Sequence, residues 1–598
     1  MCGIALALLG SESARQDYPL GDYADLWKNL CSACVERGPD WSDSTRLSLH
    51  DNPKTGLDVV ACSSVLHLRG PDGRQGLTRQ PHIGSDGSIF AWNGEIFNGI
   101  PVEHSENDGL KLFNMIQSGR GDLPSLSHIL SEFEGPYAFV YLHKPSQMLY
   151  FARDPLGQRS LLLHLPTPSE PILLLCSASN YRDVEYEEIS TGGIYSITLK
   201  GTIFECAKSL TCTPRDDSMF DGWKTLNRTT PPEISSPIST EQIEDFISRL
   251  DDSVRSRVAN IPSNAADIPQ SQTLVARLGV LFSGGIDSSV VAYLADRHIP
   301  RDEPIDLLNV GFENPRTLGV PQNKAAQAAK VQRKRDKKER RKGLHAPEVP
   351  AAPSPGVTDE PPKAGIYDVP DRLTGLQQLE ELQRLCPHRK WNFVCVNVPY
   401  EECKREEPKV MALMHPSNTV MDLSLANALY FASRGKGIIY GSDGDNYSSP
   451  AKVLLSGLGS DELLGGYSRH KIAYNQGGWD GLVSELQLDL DRLPSRNLGR
   501  DDRVISANGR ESRYPFLSLV LVSYLAQLPV QIKVDPRLML QKERSGAGMG
   551  DKTLLRLAAE RLGLVLASRR TKRAMQFGSR SARMEGGTSE KKGHVVLE

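Results

Sequence analysis

Short apolar runs dominate the first third of the chain, at 3–9, 59–66, 89–92, 137–143, 148–152, 172–177 and 193–199. Each has the length of a strand and ends in turn-forming residues. Two stretches, 23–34 and 108–117, carry apolar residues at helical spacing instead. A series of strands broken by few helices predicts a layered α+β domain over residues 1–205.

The pattern then changes. Residues 206–237 are rich in Thr, Pro, Asp and Ser, the composition of a linker. Residues 239–258 have an amphipathic helical pattern, and Ser239 followed by Gln242 predicts a capping box at its start. Beyond it, apolar strands (278–282, 305–312, 391–396, 452–455) alternate with helices (288–297, 375–385, 419–434). That alternation predicts a parallel, doubly wound α/β sheet over 238–585. A basic and Pro/Ala-rich insertion at 313–366 interrupts it. Such a segment cannot bury enough apolar surface to order itself, and it reads as a solvated loop or a basic patch for RNA. Residues 586–598 read as a flexible tail.

The bulk numbers narrow the function classes. Hydrophobic residues make up 39% and charged residues 24%, with a net charge of −3. No global field draws this chain to nucleic acid or membrane; the basic insertion is the one local exception. No apolar run approaches the ~18 residues of a membrane span. The ten cysteines are irregularly spaced, which disfavours a disulfide scaffold and points to a reducing, cytoplasmic setting. Cys31 and Cys34 form a CxxC without a second pair, so it reads as two helix thiols and not as a zinc site.

The candidate chemistry begins at Cys2. Once Met1 is removed, Cys2 carries an α-amine with an ordinary pKa of about 7.7–8.0 and a thiol of about 8.5. Nucleophile and base then sit on one residue. Asn93 and Gly94 end a strand, where a side-chain amide and a backbone N–H can meet one developing oxyanion. Arg69 can grip a carboxylate through two parallel hydrogen bonds, and Glu95 and Asp108 can pair with an ammonium group. Together these groups suit hydrolysis of the side-chain amide of a free amino acid. MCGI at the start, RGPD at 37–40, NGE at 93–95 and RDPLG at 153–157 resemble the class II (N-terminal nucleophile) glutamine amidotransferases. The resemblance implies an αββα sandwich, Cys2 as nucleophile, and glutamine bound by Arg69, Asn93, Gly94, Glu95 and Asp108.

In the second half, Ser283, Gly284, Gly285, Ile286, Asp287, Ser288 and Ser289 follow a strand and open a helix. Backbone N–H groups in such a turn form an anion site. Asp287 cannot bind an anion itself and suits Mg²⁺ bridging phosphates. Asp461, after Ser456 and Gly457, offers a second carboxylate, and Lys552 can neutralise departing pyrophosphate. The charge pairs in 500–503 and 511–513 read either as functional or as structural ion pairs between elements. These stretches resemble the ATP-pyrophosphatase domain of asparagine synthetases, in a eukaryotic subgroup whose phrases recur at 391–398, 495–504 and 572–580. The resemblance implies ATP and Mg²⁺, with nucleotide contacts from Leu281, Val310 and the residues of both loops, and amidation of aspartate to asparagine. Two departures set that acceptor apart. Leu458 stands where the family has an acid, and leucine cannot serve as a base. Residues 415–422 also differ from the family's aspartate-recognition segment. A related ligase with another acceptor acid, and a scaffold without full activity, are the alternatives. Oligomeric state is not legible.

Overall fold

The computed structural model describes residues 2–10, 23–49, 56–70, 77–180, 184–215, 222–229, 237–262, 274–313, 365–540, 550–584 and 594–597. The basic insertion, apart from its boundary residues 313, 365 and 366, lies outside them.

The first part is built from β1 (Gly3–Gly10), β2 (Trp41–Ser48), β3 (Leu57–Val65), β4 (His82–Ile83), β5 (Ile89–Gly94), β6 (Tyr137–His143), β7 (Met148–Arg153), β8 (Leu162–His164), β9 (Ile172–Cys176), β10 (Glu187–Glu188), β11 (Gly193–Thr198) and β12 (Thr211–Pro214). They form two six-stranded sheets, β10-β8-β9-β1-β3-β2 and β12-β11-β7-β6-β5-β4. Every pairing in them is antiparallel.

β1 shows why its sequence is apolar throughout instead of alternating. Ile4, Leu6 and Leu8 point between the sheets, against Ala91, Val140 and Phe151 of the second sheet. Ala5, Ala7 and Leu9 point the other way, beneath helix α1 (Ala24–Arg37), with its Trp27 and Leu30. Both faces are buried, so neither is polar. The outer face of the second sheet is covered by α2 (Asp108–Ser118) and α3 (Leu123–Ser131) through Leu112, Phe113, Ile116 and Leu126.

The expected linker is partly structured. α4 (Ile203–Lys208) buries Ile203 and Cys206 in the core between the sheets, and β12 adds to the second sheet by pairing with β11. Trp223 and Leu226 then anchor in the core of the second part. Scattered apolar residues in a polar stretch thus each find a separate core.

The second part follows α5 (Thr240–Val258), capped by Ser239 and Gln242 as expected. Its strands are β13 (Leu278–Leu281), β14 (Ile305–Phe312), β15 (Trp391–Val398), β16 (Lys436–Ile439), β17 (Asn446–Ser448), β18 (Val453–Leu455) and β19 (Glu511–Arg513). They form one seven-stranded sheet in the order β17-β16-β15-β14-β13-β18-β19. The sheet is not wholly parallel: β13, β14, β15, β18 and β19 run parallel, while β16 and β17 form an antiparallel edge. Apolar cores lie on both faces, so helices α6 (Ile286–Asp296), α7 (Pro370–Leu385), α8 (Tyr400–Met414) and α9 (Val420–Arg434) cover a doubly wound sheet. Of the expected tail, residues 586–593 and 598 lie outside the described residues, while 594–597 are held in place. Val420 N donates to the Val595 carbonyl and Leu597 N to that of Asn418 (2.7 Å), with Leu597 packed on the core. Among the described residues, no helix is long and apolar enough to cross a membrane.

The two parts meet through buried ion pairs. Arg37 pairs with Asp502 (2.9 Å), Arg159 with Glu511 (3.1 Å), Arg257 with Glu134 (3.2 Å) and Arg513 with Glu95 (3.4 Å). Arg503 also pairs with Glu188. Asp502, Arg503, Glu511 and Arg513 thus pair across this junction, while Arg500 pairs with Asp501 and Asp422 inside the second part.

Candidate functional sites

Cys2 immediately precedes β1, an interior strand of the first sheet. Its backbone nitrogen donates to Asn93 Oδ1 (3.1 Å). Gln80 Nε2 lies 3.4 Å from its sulfur, while Gln80 Oε1 accepts from Trp92 N (2.8 Å). Arg37 Nε reaches the Cys2 carbonyl (3.4 Å). The Asn93 Nδ2 group is buried and has no hydrogen-bond partner, so a donor stands ready beside the thiol. Gly94 has to be glycine: a Cβ there would lie 2.7 Å from the Pro136 carbonyl and from the Trp92 ring.

The near-neutral thiol is expected of a chain freed of Met1. With Met1 in place, burial pushes the Cys2 thiol up to about 11, helped by the charges of Asp108 and Glu511 and opposed by the N-terminal amine and a hydrogen bond from the backbone of Leu66. Arg69 is also not an open clamp. Its Nε donates to Glu95 Oε2 (2.6 Å) and its Nη2 to the Ile96 carbonyl (3.0 Å). Asp108 accepts from Ile96 N (2.9 Å) and Gly109 N (2.8 Å) at the start of α2. Burial and the charge of Asp108 raise Glu95 to about 7 in spite of Arg513 and Arg69. Burial raises Asp108 as well. The expected residues thus form one cluster, and Glu511 and Arg513 of the second part complete it.

The second site forms at the strand ends of β13 and β18. Gly284 takes a left-handed conformation (φ 72°) with the backbone of Gly375 against it, and Gly285 caps α6. The loop opens onto a cavity of about 280 Å³, lined by Ser283, Gly284, Gly285, Asp287, Lys552 and Lys572 among others. Ser288 and Ser289 do not line it. Both hydroxyls donate back to the Gly285 carbonyl, at 3.2 and 2.8 Å, a common alternative for serine in a first helical turn. Ser456 and Gly457 also sit behind the cavity: Ser456 Oγ accepts from Leu458 N (3.3 Å), and Gly457 packs on Asp287. Leu281 and Val310 line an adjoining apolar slot with Leu308, Leu429 and Met575.

Asp287 and Asp461 converge on one ammonium group. Lys552 Nζ lies 2.6 Å from Asp287 Oδ1 and 2.7 Å from Asp461 Oδ1, and donates to Ser460 Oγ (3.0 Å). Lys572 also pairs with Asp461. Burial opposes ionisation of Asp461, yet the two lysines hold it well below the usual carboxylate range. Among the described residues, no group of three or more His, Cys, Asp or Glu is arranged to hold a metal ion. Asp287 and Asp461 match in number the one or two carboxylates that Mg²⁺ takes alongside substrate phosphates, with the Lys552 ammonium lying between them.

Sequence reasoning missed four contributors. Gln80 stands in no recognised motif. Lys572 lies in the phrase at 572–580, and only the fold shows that it meets Asp461. Glu511 and Arg513 were read as ion pairs without a known partner. Leu458 packs against the apolar core and brings no polar group.

The chain is similar to known proteins over nearly its whole length. The asparagine synthase family model matches residues 274–339 and 473–591. Asparagine synthetase domain-containing protein 1 of Homo sapiens is 36% identical over 98% of this chain and 96% of its own length. An asparagine synthetase domain-containing protein of Saccharomyces cerevisiae is 31% identical over 98% and 96%. A solved glutamine phosphoribosylpyrophosphate amidotransferase from B. subtilis covers 54% of this chain and 70% of its own, with 14% identity and a TM-score of 0.26. The chain belongs to the asparagine synthetase domain-containing protein family.

Proposed function

We propose that the chain is a glutamine-dependent ligase of the asparagine synthetase type. The observation that carries this reading is the pairing of two reactive sites across one buried junction. Cys2 lies beside an unpartnered amide donor, and a phosphate loop lies beside Lys552, Asp287 and Asp461.

At the first site, removal of Met1 frees the Cys2 amine, which Asn93 Oδ1 holds. The amine takes the thiol proton, and the sulfur attacks the glutamine side-chain carbonyl. Asn93 Nδ2 and Gly94 N–H meet the oxyanion. The thioester forms as ammonia leaves, and water then releases glutamate. Burial favours the neutral thiol, so proton transfer accompanies attack instead of preceding it. Glu95 and Asp108 hold the substrate ammonium, and substrate binding frees Arg69 from Glu95 for the carboxylate.

At the second site, the loop around Ser283, Gly284 and Gly285 cradles ATP phosphates, with the base in the slot of Leu281 and Val310. Mg²⁺, held by Asp287 and Asp461, would neutralise charge on those phosphates. Lys552 and Lys572 then stabilise pyrophosphate as the acceptor carboxylate attacks the α-phosphorus. Ammonia displaces AMP from the acyl-adenylate. Asparagine formation from aspartate, ATP and glutamine tests the reading; the Cys2→Ala variant should lose glutamine use and keep ammonia use. Wild-type protein that makes asparagine from neither nitrogen source refutes it.

One observation favours a second reading. Leu458 supplies no base where ammonia would be deprotonated, and its side chain is turned into the core. A ligase for another acid follows, and it requires pyrophosphate release stimulated by a carboxylate other than aspartate.

A further inference from the structure

One acid at the second site takes no part in the chemistry proposed for it. Asp371 lies in the first turn of α7 and is 7% exposed. Ser283 and Asp371 line both the cavity beside the loop and the adjoining apolar slot. Asp371 therefore stands where the two spaces meet.

Contacts on either side fix it there. Asn309 of β14 donates through Nδ2 to the carbonyls of Asp371 (3.1 Å) and Phe282 (2.9 Å). Thr374 Oγ1 donates to the Ser283 carbonyl (3.1 Å), and Gly375 packs against Gly284. The first turn of α7 is thus fastened to the loop that follows β13. On the other side Gly578 leaves room for the acid: a Cβ there would overlap the Asp371 carboxylate.

Nothing in the chain satisfies this carboxylate. Among the described residues, no hydrogen bond or ion pair reaches it. Burial raises it to about 7, against the more distant charges of Arg573 and Lys572. An acid in a first helical turn gains from the helix dipole, but an exposed carboxylate gains as much. Burying one without a partner costs free energy, and hydrogen-bond donors on a ligand would offset that cost.

The surrounding charges narrow the ligand group. Lys552, Lys572, Arg570 and Arg573 make the cavity basic. They draw phosphate, whereas Asp371 repels it. The group beside Asp371 must therefore donate hydrogen bonds and carry no negative charge. In a nucleotide with its base in the slot and its phosphates in the cavity, the ribose lies at the boundary. Its two adjacent hydroxyls match the two acceptor oxygens of a carboxylate.

We infer that Asp371 accepts hydrogen bonds from the ribose 2′- and 3′-hydroxyls and makes the second site selective for ribonucleotides. This role rests on the nucleotide reading proposed above, to which it adds recognition of the sugar.

Titration calorimetry of the full chain with magnesium chloride, without glutamine or acceptor acid, tests it. The ligands are ATP, 2′-deoxy-ATP, 3′-deoxy-ATP, inosine triphosphate and pyrophosphate. Wild type should bind ATP about tenfold or more tightly than either deoxy nucleotide, the scale of a hydrogen bond to a charged group. Asp371→Ala should bind ATP only as well as the deoxy nucleotides, with pyrophosphate binding unchanged. Equal affinity of wild type for ATP and both deoxy nucleotides overturns the proposal. So does a loss in Asp371→Ala that ATP and the deoxy nucleotides share, which marks a structural role. A preference for ATP over inosine triphosphate that vanishes in the variant puts the carboxylate against the base, and overturns it too. Should Asp371→Ala fold poorly, Asp371→Asn, which keeps the shape and loses the charge, must narrow the sugar preference by about threefold or more; an undiminished preference has the same adverse meaning. Absence of binding by every ligand strikes the proposed function and this role together. ATP binding without sugar preference strikes this role alone.

Discussion

The two sites bury carboxylates equally well and ionise them in opposite ways. Beside Cys2, Glu95 is raised to about 7, and Asp108 is raised too. Beside the Gly284–Gly285 loop, Asp461 is held well below its ordinary range. Burial pushes upward in all three. The difference lies in counterions. Asp461 faces two lysines, Lys552 and Lys572. Asp108 is held by two backbone amides, and Glu95 shares its arginines with Glu511. The arginines of the first site are thus divided among several acids, an arrangement that suits an ammonium ligand. The second has its acids already matched, with further basic residues, Arg570 and Arg573, around its cavity, and suits polyphosphate.

The largest effect should come from removing the shared cation. Lys552→Met strands Asp287 and leaves Asp461 with Lys572 alone. Breaking a buried pair by removing one partner costs about 3–5 kcal/mol. Urea unfolding should show a loss of that order, and ATP binding should be lost. A change under ~1 kcal/mol would mean that water already solvates these acids, and the contrast between the sites would fail.

A smaller effect, of opposite sign at high pH, should come from Glu95→Gln. The folded pKa of Glu95, about 7, lies above its ordinary 4.5. Between those values the folded chain keeps a proton that the unfolded chain has lost, so stability falls as pH rises. The contribution is fully present below about pH 4.5 and is lost as pH climbs through about 7. Glutamine mimics the protonated form. The variant should match wild type near pH 4.5 and exceed it by ~1–3 kcal/mol at pH 8. An unchanged slope between pH 5 and 7 would assign that proton elsewhere.

Much of this was legible in sequence, for reasons that differ by element. β1 and β6 are largely apolar on both faces and announce themselves. The capping box at Ser239 and Gln242 fixes a helix start from two residues. The contributors to the loop sites were named because glycines and acids sit at fixed spacing from a strand end. By contrast, β2 reads WSDSTRLS and is largely exposed at a sheet edge. A strand with one partner needs no apolar face, so no pattern marked it. β12 was hidden in polar sequence for the same reason. Charge distribution was the least legible feature. That Arg69 turns to Glu95, or that Glu511 serves a site hundreds of residues away, depends on how β19 meets the first part, and no local spacing encodes it.

The smallest effect tests whether burial sets the scale of the contrast. Lys452 pairs with Asp40 at 3.0 Å, a geometry close to that of Lys552 with its acids. Its side chain is 23% exposed and that of Asp40 22%, against 1% for Lys552. Water therefore screens both ions, and Asp40 retains the His67 N–H (2.7 Å) when the lysine is gone. Lys452→Met should cost no more than ~1 kcal/mol, and less as salt rises. The Lys552 loss should respond less to salt, because its ammonium is 1% exposed, although Asp287 is 17% exposed. If the two variants cost the same and respond to salt alike, the charge difference between the sites follows from the number of partners alone, and burial has no part in it.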